Sequence, residues 1–303
     1  PSPNLDRSPG PTTAVATLRL LGDVDIVRDD GPAVALRRGQ PRTVLALLAI
    51  ERHRTVGRSE IADQLWPASL PPHWEGAVRG VVSKVRAFLD AAGLADALVS
   101  TGDGWRLDVG GRAGFVVDVD LHRCTIEAVE QVARQRPSPT ADLRGESGTS
   151  DESGTSDASG SRTGERQDRT DSSSTFGDLD ALAVASSRLG DELAPGATGE
   201  WIDTTREGLA RLRRRGLTVL ATLAGDAGRT DLAVDAADAL VRIDPYSDSA
   251  ARALVRALHR ADDRAAAISQ GAAFVSRLRD DLGVDAEPAT LALIESVRTS
   301  RSE

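Results

Sequence analysis

Apolar residues are nowhere strung together over the roughly 18 to 20 positions that a membrane-spanning helix needs. The opening residues, PSPNLDRSPGPTTA, lack the basic start and apolar stretch of a secretory signal, and residues 1–14 read as a disordered tail. Cys124 is the single cysteine, which excludes an internal disulfide and suits a reducing cytoplasm. The four histidines, His53, His73, His122 and His259, have no ligand spacing to one another or to Cys124, so no metal site is expected. There is no GxSxG, HExxH or Walker A stretch, and Gly102 with Gly104 lacks the third glycine and the helix of a dinucleotide site. No cofactor is expected, and the chain does not read as an enzyme.

The net charge of −9 argues against a generic polyanion binder. The average conceals a local pattern. From Val15 to Cys124 the chain is balanced, 14 basic residues against 14 acidic. Within Gly76 to Leu89, however, Arg79, Lys84 and Arg86 are expected to have no acidic neighbour. Counterion release depends on such a footprint and not on the charge of the whole chain.

Alternating segments from Thr17 to Leu36 read as short strands with a turn at Asp29-Asp30-Gly31-Pro32, and Arg42 to Ile50 as a buried helix. Ser59 is a candidate N-cap for a helix that Pro67 stops after Trp66. A turn at Ser69 to His73 leads into a helix over Gly76 to Leu89, and Leu98 to Val109 reads as a hairpin with Gly102-Asp103-Gly104 at its tip. Residues 135–178 contain two copies of the hexapeptide ESGTSD and too few apolar side chains to offset conformational entropy, so a disordered low-complexity insert is expected there. The helix ahead of it, Leu121 to Gln135, and Ala- and Leu-rich pieces at 179–193, 201–223, 231–243, 247–260 and 262–282 suggest stacked helical hairpins of the tetratricopeptide type.

At 100° per residue, Val78, Val81, Val82, Val85, Phe88 and Leu89 form one stripe facing a core. Arg79, Gly80, Ser83 and Ala87 lie opposite, with Lys84 and Arg86 on the flanks. Arg79 is placed to reach a base edge, where a guanidinium pairs bidentately with guanine. Lys84 and Arg86 suit phosphates, and Arg106 in the hairpin suits a phosphate beside the minor groove. Trp66, Trp74 and Trp105 read as packing residues, and Gly80 as room for a duplex to approach. A groove-reading helix beside a wing points to double-stranded DNA. The charge balance of the segment leaves open an adaptor whose winged helix no longer reads DNA.

The residues also resemble a known family, the actinobacterial regulators of the SARP type, in which an OmpR-like winged helix precedes a bacterial transcriptional activator domain. LRLLGDVDIV, Gly39-Gln40-Pro41-Arg42 and VLALLAI are similar to that family's opening sheet and first helix, and IADQLWP to its second helix. VVSKVRAFL resembles the recognition helix, and TGDGWRLDV the wing, with Trp105 where Tyr is commoner. VDLHRC and the stretch Asp281 to Pro288 resemble the opening and close of the activator domain. The resemblance implies an α+β winged helix-turn-helix domain over 15–112 and an all-α tetratricopeptide-like domain over 117–298, interrupted by the insert. It implies a transcriptional activator in the cytoplasm, on the nucleoid, binding direct repeats in promoter DNA, with RNA polymerase and a second protomer as partners. It carries DNA contact onto Arg79, Ser83, Lys84 and Arg106. Gly80 and Val81 depart from the bulkier or polar residues common in the family, and no receiver domain or phospho-acceptor aspartate is expected.

Overall fold

The computed structural model describes residues 16–29, 31–110, 114–135 and 177–300. The expected tail at 1–14 and positions 136–176 of the expected insert lie outside them; residues 135, 177 and 178 are helical. The chain divides into two compact units, 1–121 with 189–210, and 122–188 with 211–303.

In the first unit, β1 (Ala16–Arg19) pairs antiparallel with β2 (Asp25–Arg28), which pairs with β3 (Val34–Ala35). The turn between β1 and β2 uses Gly22 at φ 77°, a left-handed conformation that a Cβ would strain. Across the ladder the Arg19 guanidinium is paired to the buried Asp25 carboxylate. On the other edge of β1 runs β7 (Phe115–Val117), parallel, with Thr17 opposite Val116, giving the order β3-β2-β1-β7. β7 carries no turn signal or longer alternation, and its pairing comes wholly from the tertiary fold.

The chain leaves β7 directly into α4 (Asp118–Gln135). Asp118 is buried and its carboxylate accepts the amides of Leu20, Leu21 and Val119, each within 3.0 Å. Burial pushes its pKa up, against these three bonds, which pull it down. Leu21 also bridges to Leu193, and Gly22 donates to the carbonyl of Glu192 at 2.9 Å, so residues 189–210 close this unit.

Three helices carry the rest of the unit. In α1 (Gln40–Ile50) Pro41 sits in the first turn, where its missing amide costs nothing. Val44, Leu45, Leu47 and Leu48 are buried in that helix, and the expected buried helix is present. Helix α2 (Arg58–Leu65) is capped by Gly57 with no side-chain bond, so Ser59 lies inside the helix and is not its N-cap. The helix starts two residues early because β4 (Val56–Gly57) delivers the chain to it. Helix α3 (Trp74–Ala91) is longer at both ends than the sequence pattern marked, and Trp74 belongs to it. Its buried side chains are Val78, Val81, Val82, Val85, Phe88 and Leu89, the expected stripe. Removing each from water is worth about 1.5–3 kcal/mol. The hairpin β5 (Leu98–Ser100) and β6 (Gly104–Leu107) joins β4 in a three-stranded sheet of order β4-β6-β5.

Among its described residues the second unit is all helical. It holds α4 from residue 122, α5 over 177–188 and α6 (Glu200–Asp226) from residue 211. Then follow α7 (Thr230–Ile243), α8 (Asp248–Arg260) and α9 (Arg264–Arg277). Ser247 caps α8 by accepting the Ala250 amide, and Asp263 caps α9 by accepting that of Ala266. Helix α9 widens into a π turn at Leu278–Leu282, which Gly283 ends at φ 68°. The sequence pattern did not mark α10 (Pro288–Thr299), which packs on α9 with Ile294 against Gly271. A Cβ at Gly271 would lie 2.7 Å from Ile294 Cγ1, so glycine is what lets the two helices approach. No helix among the described residues is long and apolar enough to cross a membrane.

Candidate nucleic-acid interface

The face of α3 opposite its buried stripe is fully presented: Arg79, Gly80, Ser83, Lys84, Arg86 and Ala87 are all exposed. Nothing lies within 4 Å of where a Cβ on Gly80 would sit, so no packing need inside the protein explains a glycine mid-helix. The helix begins at His73, in the left-handed conformation at φ 60° and with no side-chain cap.

Two of the expected basic contacts have protein partners. Arg79 lies 3.8 Å from Glu75, one turn back and just outside the acid-free window. This corrects the expectation that Arg79 has no acidic neighbour. Both side chains are more than half exposed, so the pair is weak and open to exchange. Arg86 donates to the Ser100 hydroxyl at 2.9 Å, which ties the helix to the hairpin. Lys84 faces a groove of about 520 Å³ between α3 and the β3–α1 connection, where Arg37 and Arg38 also lie. Arg106 is half-buried on β6, opposite Val99 of β5.

The hairpin is held by a residue that sequence reasoning missed. The Arg58 amide donates to the carbonyl of Asp103 at 3.2 Å, and its Nη2 to that of Gly102 at 3.0 Å. Its guanidinium carbon stands 5.9 Å from the centre of the Trp105 ring, a cation–π distance. Trp105 is 7% exposed, in keeping with a packing residue. Gly104 is fixed by the close approach of β4: a Cβ there would fall 1.9 Å from the carbonyl oxygen of Val56. No local pattern links Arg58 to Trp105, because only the β4–β6 pairing brings them together.

Residues 162–298 match the family model of the bacterial transcriptional activator domain. Among solved structures the chain is similar to Mycobacterium tuberculosis EmbR, solved in complex with a low-affinity phosphopeptide. That likeness has a TM-score of 0.63 at 19% identity and covers 96% of this chain and 67% of that chain. No curated protein matches the chain in sequence. The architecture is a winged helix followed by a helical-repeat domain. The activator-domain match thus falls on the helical region, and the likeness to EmbR is one of fold.

Proposed function

We propose that the chain is a sequence-specific DNA-binding transcriptional activator that lays α3 in the major groove of promoter DNA. The observation that carries this is the exposed face of α3, where Arg79, Ser83 and Lys84 surround a glycine with no neighbour in its own fold. In this reading Arg79 exchanges Glu75 for a guanine edge, and Ser83 and Lys84 contact the backbone. Arg106 reaches a minor-groove phosphate from the wing, and Arg86 keeps the wing beside the helix while its exposed guanidinium meets a phosphate. The reader spans 15–112 and the activator domain 117–298, the latter serving self-association on direct repeats or contact with RNA polymerase. The protein acts in the cytoplasm, on the nucleoid, without enzymatic activity.

A gel-shift titration across salt concentrations tests the assignment. Lys84→Ala is expected to weaken binding evenly across sequences and to lower the log–log salt slope by about 1. Arg79→Ala is expected to relax preference at one base pair at a cost of about 1–3 kcal/mol. If neither variant moves the titration, the groove assignment fails. The Glu75–Arg79 pair gives a second reading some footing, an adaptor in which that ion pair is permanent. Chromatin immunoprecipitation that enriches no promoter would favour it.

A further inference from the structure

The second unit contains a concave site that the DNA-reading proposal does not use. It has a volume of about 560 Å³, within the range of small-ligand pockets. Helices α6, α7 and α8 supply its floor, including Val219, Leu240 and Ala253. Above this apolar floor the charge is unevenly placed. Arg211, Arg214 and Arg215 of α6 line it against two carboxylates, Glu130 and Asp244. The Glu130 carboxylate is engaged on both oxygens by Arg215, with Nε at 3.0 Å from Oε1, and has Arg134 at 3.8 Å. Asp244 accepts the Tyr246 amide through Oδ1 at 3.2 Å. Arg214, by contrast, makes no ion pair among the described residues. The N-terminal end of the 13-residue α8, with Ser247 and Ser249, adds the positive pole of a helix dipole to the same pocket.

We propose that this pocket binds a small amphipathic organic anion, a carboxylate or phosphate with an apolar body. Its head group sits between Arg214 and the first turn of α8, and its body lies on Val219, Leu240 and Ala253. A cation, or a fully polar anion, matches only half of that surface. The activator domain thereby gains a ligand site in its own helices, independent of whether the winged helix reads DNA.

Calorimetric titration of the full chain with three probes tests this. Hexanoate is expected to bind, and hexylammonium, with the same chain and opposite charge, to bind at least about tenfold more weakly. Inorganic phosphate is expected to fall below hexanoate by a similar factor, because it leaves the apolar floor uncovered. Arg214→Glu, at an exposed position, is expected to weaken hexanoate by about tenfold or more. Arg256→Glu, exposed on α8 outside the pocket, serves as a folded control and is expected to change nothing. Equal binding of hexanoate and hexylammonium, unaltered binding by Arg214→Glu, no hexanoate binding, or phosphate matching hexanoate would each overturn the proposal.

Discussion

Arg58 and Trp105 stand 5.9 Å apart, guanidinium carbon to ring centre, and join the start of α2 to the wing across the three-stranded sheet. Because Arg58 also bonds the Gly102 carbonyl, it holds the hairpin tip and the indole together. Arg58→Ala should therefore cost about 1 kcal/mol of stability. Its effect on DNA affinity should exceed that of an equally destabilising change remote from the wing. Urea melts paired with gel shifts measure both, and an unchanged affinity would count against a wing in contact with DNA.

Gly104 faces a stricter limit. Gly104→Ala places a methyl 1.9 Å from the Val56 carbonyl oxygen, and the atoms it meets are all backbone of Val56 and Gly57, with no side chain to swing away. Strands β4 and β6 must separate. The expected loss is about 3 kcal/mol, read as a lower urea midpoint followed by tryptophan fluorescence. Gly102→Ala, with open space around it, should cost far less and is the matched control.

Asp118 allows a pH test. Asp118→Ala strands three amides and should cost about 3 kcal/mol. The native pKa is raised by burial, so the folded state holds this proton more tightly than the unfolded chain. Stability contributed by the side chain then falls as pH rises from the ordinary carboxylate value, 3.8, through the raised one. The gap between wild type and Asp118→Ala should narrow over that window in denaturation series at graded acid pH. A gap that widens would reverse the assigned direction.

Inside the helical unit, Ser186 is fully buried and its hydroxyl has no hydrogen-bond partner among the described residues. Ser186→Ala removes an unpaid desolvation and should be neutral or stabilising by about 1 kcal/mol. Gly216→Ala does the opposite, because its methyl would meet Ile126 Cδ1 and Ser186 Oγ at 2.8 Å. A loss of about 1–3 kcal/mol is expected. Thermal melts of both variants decide the matter, and a stabilised Gly216→Ala would refute the close approach of these helices.

The elements legible in the sequence were those whose signal is local and repeated. All six apolar positions of the α3 stripe are buried, because a helix needs only its own period to place them. Alternation in β1 and breakers between the later helices served equally well. The two-residue β4 and three-residue β7 are too short to carry a period, and both exist because a distant strand pairs with them. Helix α10 hid behind the Gly283–Pro288 stretch, which read as an ending. On the candidate interface the exposed basic face of α3 was legible, whereas Glu75 lies one residue before the acid-free Gly76–Leu89 stretch and Arg58 lies 47 positions from Trp105.

The pairing of β1 with β7, and the bonds from Leu21 and Gly22 to Leu193 and Glu192, bear on how the protein comes off the ribosome. Strand β1 waits for a partner about a hundred residues later, and the turn after it for one more than 170 residues later, at a loop-closure cost that rises only slowly with length. The local helices α1 to α3 can form early, while the sheet that frames them has high contact order and must close late. A nascent or truncated chain ending at residue 112 would thus expose the open edge of β1 to other strands. Leaving the edge of β1 open until residue 117 emerges, and the turn after it unpaired until residue 193, couples maturation of the N-terminal unit to synthesis of much of the chain.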